Sequence, residues 1–238
     1  MLNLIKNSAS LVLCSMKDFL DQGLIENGMF SQHITNFNYH EAVADVVGMM
    51  ELQAFERSIQ ISTNFDHGTP KFIKADKPRL QQVLLNLISN AVKFTPSEGK
   101  IRVTCSFFRQ GDSYLLKVKV KDNGPGICES DIQLLFKPFS KLPATAILNP
   151  NGNGLGLYVC KRICEQLGGE IWVKSGIGSG AIFSFTMKAT EGTKIEPVKE
   201  LKQERKNEKL IKQELKSKAA GKIGLAGDFD QDQNDIHV

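Results

Sequence analysis

Residues 114–122, YLLKVKVKD, leave few options for the fold of this chain. Side chains alternate along a strand, so Leu116, Val118 and Val120 face one way and Lys117, Lys119 and Lys121 the other. Strands of this kind build a sheet with one face buried and one in water. The rest of the chain offers the strands and helices for such a sandwich.

Residues 40–57 have the spacing of an amphipathic helix, followed by a strand at 59–65, the turn DHGTP and a strand at 71–75. A long helix is expected over 76–95. Asp76 is its N-cap, and Leu80, Val83, Leu84, Leu87, Ile88, Ala91 and Val92 recur at helical spacing. Strands at 100–108 and 114–122 follow, then an irregular stretch from 123 to 154 rich in Gly, Pro and Asn, long for an ordinary loop. A helix over 155–167 stops at Gly168 and Gly169, and strands at 170–175 and 181–189 close the folded part. Three helices, two of them on one side of an antiparallel-looking sheet, give an α+β, two-layer α/β sandwich.

Ahead of this lie Leu2, Ile5, Ala9, Val12, Met16 and Phe19, a heptad stripe that suits a helix docked on a partner helix or one packed on the domain's own core. After it, residues 191–238 hold too few apolar side chains for a core and divide into a basic half and an acidic end, as a solvated tail or linker does. No apolar run approaches the length of a membrane span, and the five cysteines form no CxxC pair. These features imply a cytoplasmic location with reduced thiols. A membrane would enter only through regions upstream.

Asn86, Asn90 and Lys93 fall at i, i+4 and i+7 on one face of the long helix. DNGPGI, 122–127, puts a carboxylate at a strand end, with two glycines that admit close backbone approach. GNGLGL, 152–157, opens a helix, and free N–H groups at a helix start suit phosphate. The last cluster is neither a Walker motif, since no Gly-Lys-Ser/Thr follows, nor a dinucleotide fingerprint, since its glycines alternate.

In this order, NLISNAVKFT, DNGPGI, LFKPF, GNGLGLYVCKRICEQLGG and GIGSGAIFSF resemble five successive boxes of the catalytic ATP-binding domain of sensor histidine kinases. The likeness runs from about residue 38 to 188 and implies the Bergerat fold shared with gyrase-type ATPases. It divides the chain into 1–37, resembling the second helix of a dimerisation and phosphotransfer hairpin plus a linker; 38–190, the ATP-binding domain; and 191–238, the tail.

The resemblance implies ATP and magnesium as cofactors. Asn90 would hold the magnesium, supported by Asn86; Lys93 would reach the phosphates; and Phe94 would lie beside the base. Asp122 would accept from the adenine amino group. Gly124 and Gly126 would admit the purine, and Ile127 would line its pocket. Phe136 and Phe139 would anchor a lid over 140–153, and Gly154, Leu155, Gly156 and Leu157 would cradle phosphate.

Two departures matter. Asn86 stands where the gyrase, mismatch-repair and heat-shock branches of the superfamily carry a glutamate that activates water, and a neutral amide cannot be that base. No histidine among His33, His40, His67 and His237 sits in a phosphoacceptor box; His40 opens HEAVA, with no Arg-Thr-Pro after it, and reads as a polar helix-start residue. The implied activity is therefore a histidine kinase whose acceptor histidine lies outside this chain. Its partners would be a histidine-phosphotransfer helix or a response-regulator receiver domain, with a homodimer possible and no nucleic acid. The alternatives are an ATP-binding module without phosphotransfer and, third, a Bergerat-type ATPase.

Overall fold

The computed structural model describes residues 20, 23–25, 27–110, 113–140 and 154–194. The heptad stripe from Leu2 to Phe19, most of the expected lid and nearly all of the tail lie outside them. In chain order the elements are β1 (Ile34–Asn38), α1 (Tyr39–Glu56), β2 (Gln60–Phe65), β3 (Phe72–Asp76), α2 (Lys77–Phe94), β4 (Lys100–Gln110), β5 (Ser113–Asp122), the short α3 (Glu129–Ile132), α4 (Gly156–Gln166), β6 (Ile171–Ser175) and β7 (Ala181–Glu191).

The strands form one sheet in the order β1-β3-β7-β5-β4-β2, and β6 pairs with the first half of β7. The expectation of an antiparallel sheet needs one correction. The edge strand β2 runs parallel to β4, with Ile61 opposite Ile101 and Thr63 opposite Val103, so the sheet is mixed. A second finding is β1, a strand that the sequence reading did not assign, held antiparallel to β3.

The alternation of β5 has the expected consequence. Leu116, Val118 and Val120 are buried, and they join Phe185 and Met187 of β7 and Leu80, Leu84, Leu87 and Ile88 of α2 in one apolar cluster. Val43 and Val46 of α1 and Val159 and Ile163 of α4 complete it, so all three long helices pack on one face of the sheet. This is the two-layer α+β sandwich.

Local chemistry sets the helix starts. Asp76 Oδ1 accepts from the Arg79 N–H at 3.1 Å, with Pro78 in the first turn, where its missing N–H costs nothing. Asn38 caps α1 by accepting from the N–H groups of His40 and Glu41, and its amide donates to Glu41 at 2.6 Å, a reciprocal cap.

His40 is a packing residue. Its ring stacks on Phe65 at 3.9 Å and meets Tyr39 edge-on at 4.5 Å, and its buried Nε2 has no hydrogen-bond partner among the described residues. Burial, with Lys71 beside it, holds the imidazole below its ordinary pKa. The unfolded chain therefore takes the proton more readily than the folded one. Stability contributed by neutral His40 is complete above about pH 6.5 and lost as pH falls below it. Melting temperatures measured between about pH 7.5 and 5.5 should fall less steeply in His40→Gln than in the parent; identical slopes would rule out His40 as the source.

The thiols of Cys105 and Cys164 are buried, which pushes both up to about 12 and keeps them protonated.

Candidate functional site

The apolar face of α2 is spent on the core, so its other face is left to Asn86, Asn90 and Lys93. Asn90 Nδ2 donates to Asn86 Oδ1 at 3.1 Å, which fixes the two amides relative to each other. Lys93 is half-buried one turn on, its Nζ 5.9 Å from the centre of the Phe94 ring. Burial pulls the Lys93 ammonium below its ordinary pKa, and a bound anion would offset that.

The first turn of α4 meets this face. A Cβ on Gly156 would lie 2.3 Å from Asn86 Nδ2, so a residue without a side chain is what lets the α4 start close on the asparagine. No side chain caps α4. Its first N–H groups and the positive end of its dipole thus stand beside the hydrogen-bonded Asn86–Asn90 amides, an arrangement suited to phosphate oxygens. Leu155 is buried and Leu157 packs against the core, which leaves their backbones to form the rim.

Asp122 ends β5 and is only 6% exposed. Its Oδ1 accepts from the Gly124 N–H at 2.9 Å and the Ala181 N–H at 3.2 Å. Burial raises the pKa of this carboxyl, and the N–H donors of Gly124 and Ala181 work against the rise. The loop after it is clamped from both sides. Gly124 sits against the Phe94 carbonyl at the end of α2. Across from it, the Ile127 N–H donates to Ser175 Oγ at 2.9 Å, Ser175 Oγ donates to the Gly180 carbonyl at 2.6 Å, and the Gly178 N–H donates to the Pro125 carbonyl at 2.7 Å. Gly126, at φ +78°, lies so close to the Gly176 carbonyl that a Cβ would come within 1.9 Å of it. DNGPGI and GIGSGA are thus two halves of one rigid turn that holds Asp122.

Phe136 packs against the core, while Phe139 is 64% exposed and holds an unusual φ of +58°. Gly154 abuts Phe139 and Ser140, so residues 140 and 154 meet at one point; 141–153 lie outside the described residues. An open cleft of about 580 Å³ lies between α3 and the β6–β7 turn. It shares Ile127 with the first glycine loop and does not reach the Asn86–Gly156 contact.

Sequence reasoning passed over three contributors. Ser175 and Ala181 hold the Asp122 loop, Ala181 through a backbone N–H that no residue type announces. Arg57, just past α1, donates from Nη1 to the carbonyls of Val92 and, at 2.7 Å, Lys93, and from Nη2 to that of Thr95 at 3.2 Å. One guanidinium thus closes the C-terminal turn that carries Lys93 and Phe94, satisfying carbonyls that a helix end leaves open. Arg57→Ala is expected to cost about 1–3 kcal/mol, read as a lower urea midpoint at unchanged slope. Arg57→Lys should recover only part of this, because an ammonium cannot span the three carbonyls with a planar fork.

The chain is similar to several known proteins. Residues 75–191 match the family described as histidine kinase-, DNA gyrase B-, and HSP90-like ATPase. Hybrid signal transduction histidine kinase L of Dictyostelium discoideum is 34% identical over 189 residues, 79% of this chain and 11% of that protein. Full-length ShkA, solved in complex with AMPPNP, superposes with a TM-score of 0.66 at 27% identity, covering 81% of this chain and 39% of that one. The nucleotide-free catalytic domain of histidine kinase ThkA superposes at 0.56 with 30% identity, covering 66% of this chain and 95% of that domain. The same kinase in complex with response regulator protein TrrA gives 0.57 at 28%, over 78% and 49%. The chain spans between 9% and 28% of the first curated relatives it matches.

Proposed function

Because this chain belongs to the histidine kinase-, DNA gyrase B-, and HSP90-like ATPase family, as the catalytic ATP-binding domain of a sensor histidine kinase, we propose that it binds ATP with magnesium and donates the γ-phosphate to a histidine of a two-component phosphorelay outside this chain. The observation that carries the reading is the approach of α4 to α2 at Gly156 and Asn86, which sets uncapped N–H groups beside the Asn86–Asn90 amide pair.

The donor chemistry fits magnesium. Asn86 Oδ1 takes a hydrogen from the Asn90 amide nitrogen, so the carbonyl oxygen of Asn90 is the atom offered to a hard cation. Asn90 would hold the ion, which when bound lends charge to the phosphate oxygens. Asn86 positions Asn90, and Lys93 and the backbone of Gly154, Leu155, Gly156 and Leu157 receive the phosphates. Asp122 accepts from the adenine amino group, with Gly124, Gly126, Ile127 and Phe94 around the base. Phe136 and Phe139 anchor the segment that leaves the site. Asn86 in place of a base disfavours hydrolysis and leaves transfer to another nucleophile open.

The solved complex of histidine kinase ThkA with response regulator protein TrrA supports a response-regulator receiver domain as partner of this chain. The deciding experiment supplies the full chain with labelled ATP, magnesium and a separate hairpin carrying a phosphoacceptor histidine. Acid-labile, base-stable label on the hairpin is expected. Absence of Mg-ATP binding would overturn the proposal; binding without transfer to any hairpin would favour an ATP-binding module instead; steady phosphate release would favour an ATPase.

A further inference from the structure

The face of the sheet turned away from α1, α2 and α4 carries no helix among the described residues, and the charges on its strands are positive. The register arranges its outward side chains in rows. Arg102 of β4 lies beside Lys121 of β5, Lys121 beside Ile182 of β7, and Ile182 beside Lys174 of β6. The next row is Thr104, Lys119, Ser184 and Trp172, and the third is Ser106, Lys117 and Thr186. Arg102, Lys119, Lys121 and Lys174 are exposed; Lys117 is half-buried, its Nζ 4.8 Å from the centre of the Trp172 ring.

No Asp or Glu occupies an outward position of β2, β4, β5, β6 or β7. The exposed Glu170, just ahead of β6, borders the rows, its backbone N–H donating to Thr186 Oγ1 at the edge of the third. None of these cations has an ion-pair partner among the described residues. Like charges directly opposite each other on neighbouring strands are destabilising, and Arg102 faces Lys121 in that way. The fold bears this repulsion without relieving it internally. A ligand of opposite charge would relieve it.

We propose that this face docks an extended acidic segment of a partner protein, with its carboxylates at alternate residues along the Lys117–Lys119–Lys121 row. Alternate positions on a strand repeat at about 6.7 Å, the same period that alternate residues of an extended peptide present. Successive strands rotate by roughly 20–25°, so the cations of β4 and β6 flank the β5 row like the sides of a shallow saddle. A narrow chain fits that shape, whereas a flat anionic membrane would meet only part of it. Single-stranded nucleic acid binds on free aromatic faces, and here the Lys117 ammonium already covers Trp172. The helical layer, with the candidate nucleotide site, is on the opposite side of the sheet.

The test measures anisotropy of a labelled Asp-Ser repeat peptide with the full chain. Saturable binding is expected, weakening as salt is raised. Lys119→Glu/Lys121→Glu should weaken it by about tenfold or more, since two attractions become repulsions. Lys119→Gln/Lys121→Gln, which removes charge without reversing it, should fall between. ATP affinity, measured in parallel, should be unchanged in both variants and shows that they are folded. Equal peptide affinity in parent and reversed variant would overturn the proposal. So would tighter binding of an oligo-dT strand or of phosphatidylserine vesicles than of the peptide.

Discussion

Asn90→Ala is expected to slow phosphohistidine formation on a supplied hairpin by about 10²–10³-fold, with the fold intact. The side chain belongs to the polar face of α2, away from Leu84, Leu87, Ile88 and Ala91, so its loss opens no core cavity. What is lost is the oxygen proposed to hold the metal. A metal acting on phosphate oxygens supplies several kcal/mol, and each 1.36 kcal/mol is a factor of ten in rate. Binding separates this from a general loss of function. Magnesium should strengthen ATP binding to the parent chain, while in Asn90→Ala adding magnesium or EDTA should make no difference. Asn86→Ala, which removes the acceptor that orients Asn90, should lie between, at about 10–100-fold in rate. An unaltered magnesium response in Asn90→Ala would remove this residue from the site.

The helix that carries Asn90 was legible because two independent signals agree on it. Asp76 marks its start, and seven apolar residues at helical spacing mark the face it buries. β1 carries no such agreement. ITNFN has asparagine at two of five positions, and its strand conformation comes from pairing with β3, more than thirty residues away at Asn36 and Lys74. The parallel pairing of β2 with β4 was hidden for the same reason. QISTNF reads as a strand in isolation, but its direction relative to KIRVTCSFF is a property of the path around α2. Pattern reports which face of an element is apolar; it does not report which neighbour that element meets.

The site divides along the same line. Asn86, Asn90 and Lys93 stand out as polar side chains on one helix face and Asp122 as a carboxylate at a strand end, and the proposed roles of all four come from the family resemblance. Their supports do not stand out, because most are backbone. The Ala181 N–H that reaches Asp122 lies 59 residues further on, and any residue except proline offers the same donor. Gly156 was noted as part of a phosphate-binding cluster, and the structure adds a contact with Asn86 that requires both helices in place. Arg57 stood in an ordinary polar stretch at a helix end, with nothing local to connect it to Val92, Lys93 and Thr95.

Asp122→Asn should reverse the choice of base more than it lowers overall affinity. The carboxylate accepts only, and its Oδ1 is committed to the Gly124 and Ala181 N–H groups. In the variant the amide oxygen will keep those two donors, because turning the NH₂ toward them would oppose donor to donor in a site that is 6% exposed. The NH₂ then takes the place of the second carboxylate oxygen. An adenine amino group meets a donor there, whereas the guanine carbonyl meets a partner. ATP affinity is expected to drop by about 10–10²-fold, from loss of a hydrogen bond to a charged acceptor and exposure of a buried donor. GTP affinity should rise toward it, so the ATP to GTP ratio falls by about 10³-fold, within the range that a site built around a hydrogen bond can discriminate. Competition of ATP and GTP against a fluorescent nucleotide measures the ratio directly, and circular dichroism checks that the clamped turn survives. An unchanged ratio in a folded variant would mean that Asp122 does not face the base, and the adenine position would have to be sought elsewhere around the α2–α4 contact.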